Sequence, residues 1–187
     1  MYFQFFTVKV HVRQSSQVRA RDFRETFTQW IQEEKLPGLL IDVADYTHMH
    51  HGPGVVLVAH EGNWSFDETA GRQGLLYVSK VPSKAPVPAR LAAALASALQ
   101  ACALVESDAR FPDLRFDAEN LRIGVNDRLV PASEAAFAAL ENETRTLISK
   151  LCGGGNIRFK REDDARRRMS LEVQFRGATS AAELLER

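Results

Sequence analysis

Apolar and polar residues alternate at the start of the chain. In Phe3–Arg13 the second half places Val8, Val10 and Val12 on one side, and the β-branched and aromatic content predicts a strand. The period then lengthens. Phe23, Phe27, Trp30 and Ile31 recur at helical spacing with charges on the opposite face, and Leu36-Pro37-Gly38 stops that helix. Leu39–Tyr46 and Gly54–Phe66 return to a strand pattern, joined as a hairpin through Gly52-Pro53-Gly54, and Gln73–Lys80 follows as a third strand.

A proline-rich connector, "VPSKAPVP", leads into a second series of elements. "ARLAAALASALQACALVE" is a helix with an inward stripe of Leu91, Leu95, Leu99 and Cys102, yet Ala92, Ala93, Ala96 and Ala101 leave its other side almost without charge. Such a helix is sandwiched between layers or lies in a subunit interface, so a homodimer through Ala93 or Ser97 is expected. Leu121–Asp127 is a strand. The helix after it turns Phe137, Leu140, Leu147, Ile148 and Leu151 inward. "NIRFKRE" and "SLEVQFR" make a final hairpin, and "SAAELLE" a short closing helix.

The order strand, helix, strand, strand occurs twice, which suggests an internal duplication. Leu39-Leu40 would match Asn156-Ile157, and "GVVLVAH" would match "SLEVQF". The expected architecture is α+β: a largely antiparallel sheet with helices on one face. It forms a single domain over 1–187, with pseudo-repeat lobes at about 1–80 and 113–187.

Composition narrows function only by exclusion. Lysine plus arginine equals aspartate plus glutamate, 24 each, so no overall field draws the chain to nucleic acid or anionic lipid. The N-terminus lacks a basic leader, and no stretch approaches the ~18 apolar residues of a membrane span. Two distant cysteines, Cys102 and Cys152, read as free thiols of a reducing compartment, which makes a cytoplasmic location the expectation. The glycines of "CGGGN" follow a helix, so they are a C-cap and turn and not a phosphate loop. "RFKREDDARRRM" interleaves Arg158, Lys160, Arg161, Arg166, Arg167 and Arg168 with Glu162, Asp163 and Asp164. It reads as a self-neutralised loop and argues against nucleic-acid binding.

The densest chemistry is "YTHMHHGPGV", with His60-Glu61 shortly after it. Residues two apart on a strand share a face, so His48 and His50 could act together, and His60 on the partner strand could complete a site for a divalent transition metal. Asp42, Asp45 and Glu61 are the nearby carboxylates, with His60, Glu61, Asp42 and Asp45 the candidate acid–base groups. The ligand set is incomplete by the standard of known motifs. The metallo-hydrolase pattern H-x-H-x-D-H lacks its aspartate, and no histidine follows His60.

The run Leu39–Val78 resembles a group of uncharacterised bacterial proteins carrying similar "LIDVADY…H…GPGV…HE…D…G…GLLY" wording. Asp42, Asp45, His48, Gly52, Pro53, Gly54, His60, Glu61 and Asp67 match it; His50 and His51 match it less closely. The resemblance carries no activity, but it implies that the hairpin is a signature region. The resulting expectation is a ligand- or partner-binding protein using this hairpin. The alternative is a metal-dependent enzyme with His48, His50 and His60 as ligands and Glu61 as base.

Overall fold

A computed structural model describes residues 3–14, 16–49, 52–127, 129–153, 155–162, 164, 167–177 and 180–187. The strands are β1 (Phe6–Val12), β2 (Leu40–Asp45), β3 (Val55–Ala59), β4 (Gly62–Asp67), β5 (Gly74–Ser79), β6 (Phe116–Val125), β7 (Arg158–Arg161) and β8 (Ser170–Gln174). The helices are α1 (Phe23–Gln32), α2 (Val87–Glu106), α3 (Glu134–Cys152) and α4 (Ala181–Glu186). All eight strands form one sheet in the order β2-β3-β4-β5-β1-β6-β8-β7, and every pairing is antiparallel. The α+β expectation holds.

Strand alternation explains which face is covered. Trp64, Tyr77, Val8, Ile123 and Leu171 lie in one cross-strand row, and Phe66, Leu75, Val10, Leu121 and Val173 in the next; all are buried. Helices pack on this side only. Trp64 donates its indole N–H to the Ser97 carbonyl of α2 at 2.9 Å, and Phe23 of α1 stacks on Phe66 with ring centroids 4.6 Å apart. Arg145 of α3 lies over Phe159 of β7. Alternate residues form the opposite face, which carries no helix.

Against the expectation that no stretch suffices, the charge-poor helix α2 is long and apolar enough, by length and composition, to cross a membrane, because its many alanines count as apolar. Here Leu91, Leu95, Leu99, Cys102 and Val105 sit in the core, and α4 and α3 contact the helix from within the same chain. The short α4 buries Ala181 and Leu184 and packs against α2. Ala93 stays exposed. Cys102 and Cys152 are unpaired, and Gly153 caps α3 in the left-handed conformation, as the sequence predicts.

Two expectations need correction. Gly54–Phe66 is not one strand, because the chain reverses at His60-Glu61 to form β3 and β4. The two loop positions hold neither glycine nor proline, and the mark the sequence offers is Gly62, which follows them as the first residue of β4. The repeat also runs differently. β5 pairs with β1 as β8 pairs with β6, and β4 flanks β5 as β7 flanks β8. The matching series are therefore β1-α1-β4-β5-α2 and β6-α3-β7-β8-α4. The β2–β3 hairpin is an addition to the first, at the sheet edge, and β1 joins β6 at the centre.

Candidate functional site

The β2–β3 hairpin separates the histidines. Its tip end is closed by the Asp45–Val55 pair and by the Tyr46 amide donating to the Gly54 carbonyl at 2.8 Å. His48 is exposed beyond that end. His60 lies past the other end, where its amide donates to the Leu39 carbonyl at 2.8 Å. The length of β3, five residues or about 17 Å, lies between them. His48 and His60 are not brought together as ligands of one ion, and His50 and His51 lie outside the described residues. Among the described residues no three His, Cys, Asp or Glu side chains group as metal ligands.

The carboxylates are dispersed as well. Glu61 sits in the β3–β4 turn, where its side chain lies against Gly38; a Cβ there would meet Oε2 at 2.5 Å. Asp42 is exposed on the edge strand and accepts from the Val43 amide at 2.7 Å. Asp45 faces the helix side. It accepts from the Thr47 hydroxyl and amide at 2.6 and 2.9 Å and lies 3.3 Å from Arg24. The Thr47 hydrogen bonds hold its carboxyl below the ordinary range. This is the chemistry of a fastened turn.

The tip instead forms one wall of a cleft of about 770 Å³. A second wall is the 3-10 turn Ala20–Asp22 with Arg19 before it, and a third is the Asp67–Thr69 turn. Gly54 makes the enclosure possible. Its φ is +72°, and a Cβ on it would lie 2.5 Å from that of Ala20. Glu68 fastens the 3-10 turn by accepting from the Ala20 amide at 3.1 Å and approaching Arg19 to 3.7 Å. Tyr46 and Met49, 40% and 52% exposed, present apolar surface to the cleft. Arg21 lines it too and makes only a 3.9 Å approach to Asp22.

Beside this cleft, on the face without helices, lies a buried polar group that sequence reading missed. Lys9 is 2% exposed and donates from Nζ to Asp67 Oδ2 and to the Arg72 carbonyl, both at 2.5 Å. Burial pulls the Lys9 pKa down, against the opposing pull of Asp67. His11, also 2% exposed, places Nε2 2.8 Å from Glu172 Oε2, within hydrogen-bond distance, and Arg72 approaches the same carboxylate to 2.9 Å. Gly74 and Gly124 make room: a Cβ on Gly74 would meet Lys9 Cε at 2.8 Å, and one on Gly124 would meet Thr7 Oγ1 at 2.6 Å. A signal was present. Lys9 is the one Lys, Arg, Asp or Glu of β1 and Glu172 the one of β8, while Arg122 lies in the apolar end of β6, and the register places the three side by side.

Comparisons with protein-family models, with curated proteins and with solved structures give no significant match. The functional reading therefore rests on the geometry of the site.

Proposed function

We propose that the protein binds a small organic acid with an apolar body, in the cleft at the tip of the β2–β3 hairpin. The observation that carries this reading is the cleft itself. Its volume of about 770 Å³ falls within the ~300–1,000 Å³ typical of small-molecule sites. Its chemistry sets the ligand class. Asp67 is engaged by Lys9 and Thr69, and Glu68 by Arg19 and the Ala20 amide. Arg21 is 78% exposed and loosely held, so the charge left for a ligand is positive. Tyr46 and Met49 supply an apolar wall beside it. The β2–β3 hairpin thus takes part through its tip, and His60, Glu61 and Asp42 stand apart from the ligand.

A thermal-shift panel of aromatic and aliphatic carboxylates tests this. At least one compound should raise the melting temperature of the wild type, with the shift reduced in both Tyr46→Ala and Arg21→Gln. These side chains are exposed, so neither change should unfold the protein. A panel without any shift, or a shift retained in both variants, would reject the cleft as the site.

A further inference from the structure

The helix-free face holds a second cavity, of about 510 Å³, along β6, β8 and β7. The register determines which side chains face it. Lys160 of β7 lies opposite Glu172 of β8, which lies opposite Arg122 of β6, and Arg158 lies opposite Gln174. Phe159 and Arg161 alternate to the helix side, where Arg145 covers Phe159 and Arg161 is held by Glu134 and Glu141 at 2.6 and 2.9 Å. Arg72 and Arg167 enter from flanking turns. Among the described residues, Arg72, Arg122, Arg158, Lys160 and Arg167 thus surround Glu162 and Glu172, with Arg161 at the margin, in a chain whose overall charges cancel.

Both carboxylates are already shared. Glu172 receives His11 at 2.8 Å and Arg72 at 2.9 Å, with Arg122 at 3.8 Å, while Glu162 pairs with Arg122 and, at 3.4 Å, with Arg167. Arg167 also lies 3.8 Å from Asp164. Arg158 and Lys160 are exposed and have no ion-pair partner among the described residues. Deeper in, the Ser170 hydroxyl accepts from Arg122 Nε at 3.1 Å and keeps its own proton to donate.

We infer that this cavity binds the di- or triphosphate chain of a small ligand. A single carboxylate or phosphate needs one or two guanidinium forks. Here the cations of β7 and β6 are two strand spacings apart, about 10 Å, and Arg72 and Arg167 extend the array. A polyphosphate chain distributes several charges over a comparable length, and arginine pairs with its oxygens two at a time. Of the acids in this segment, Glu162 is drawn inward by Arg122 and Arg167, and Asp164 lies beside Arg167, so among the described residues Arg158 and Lys160 leave the rim of the cavity basic. The site is separate from the hairpin-tip cleft, although Arg167 lines both.

Calorimetric titration of the full chain tests the inference with inorganic tripolyphosphate, pyrophosphate, orthophosphate and citrate as probes. Tripolyphosphate should bind tightest, and the double variant Arg158→Gln/Lys160→Gln should weaken it roughly tenfold or more. Because neither residue has an ion-pair partner among the described residues, that variant should keep the wild-type melting temperature. Arg21→Gln should leave tripolyphosphate affinity unchanged, which separates this site from the hairpin-tip cleft. A nucleoside triphosphate binding more tightly than tripolyphosphate would identify the chain's carrier as a nucleotide. Absence of tripolyphosphate binding, equal binding of citrate, an unaffected double variant or loss through Arg21→Gln alone would each overturn the assignment.

Discussion

Gly54 shows how much one backbone conformation can decide. Its φ of +72° lies in the left-handed region, and the space a side chain would need is taken by Ala20. Gly54→Val should therefore combine backbone strain with displacement of the 3-10 turn, at a cost of about 2 kcal/mol or more. Pro53→Ala removes only a local restriction and should cost below about 1 kcal/mol. Urea midpoints for the two variants check this. Equal midpoints would mean that the tip does not depend on Gly54. The turn was legible in the sequence, because Gly-Pro-Gly between two apolar runs has few other uses. Its contact with Ala20 was not, since that contact joins segments more than thirty residues apart in the chain.

At the scale of elements, the added β2–β3 hairpin has a mechanical consequence. β2 pairs with β3 alone, whereas β1 and β6 each have strand neighbours on both sides. Asp42, exposed on β2, and the register shift between Leu40 and Asp42 are devices that discourage further pairing at an edge. Amides of β2 should exchange with solvent well before those of β1 and β6, a difference measurable by hydrogen exchange with peptide resolution. Simultaneous exchange of all three strands would show that the edge hairpin opens only when the whole sheet unfolds. A labile β2 fits a ligand cleft whose wall is the tip of that hairpin.

Across the whole molecule, the row Lys160–Glu172–Arg122–Lys9 joins the two halves of the sheet on the helix-free face. Glu172 is central to it. Burial alone would raise its pKa, but the hydrogen bond from His11 and the charges of His11, Arg72 and Arg122 outweigh burial and set it below the ordinary value of 4.5. A carboxylate with a lowered native pKa contributes stability that is complete above its unfolded pKa and is lost as pH falls through the native value. Stability should thus decline below about pH 4.5, and Glu172→Gln should both destabilise the protein at neutral pH and flatten that decline. Denaturation midpoints of wild type and variant between neutral and acid pH provide the comparison. Parallel profiles would remove Glu172 from the acid response.

Local pattern determined most of the elements. Periods of two and 3.6 located seven of the eight strands in outline and all four helices, because each element must bury one face whatever its partners are. The missed break at His60-Glu61 was marked only by Gly62 directly after it, inside an otherwise strand-like run. Its consequence was large, since the same break sends His60 to the far end of β3, away from His48. Residues joined by strand register, such as Lys9 with Arg122, or Glu172 with both Arg122 and Lys160, are invisible until pairing is known. Sequence spacing can show that charges sit within strands. Only the order of strands in the sheet decides which charges become neighbours, because that order depends on how distant segments share one core.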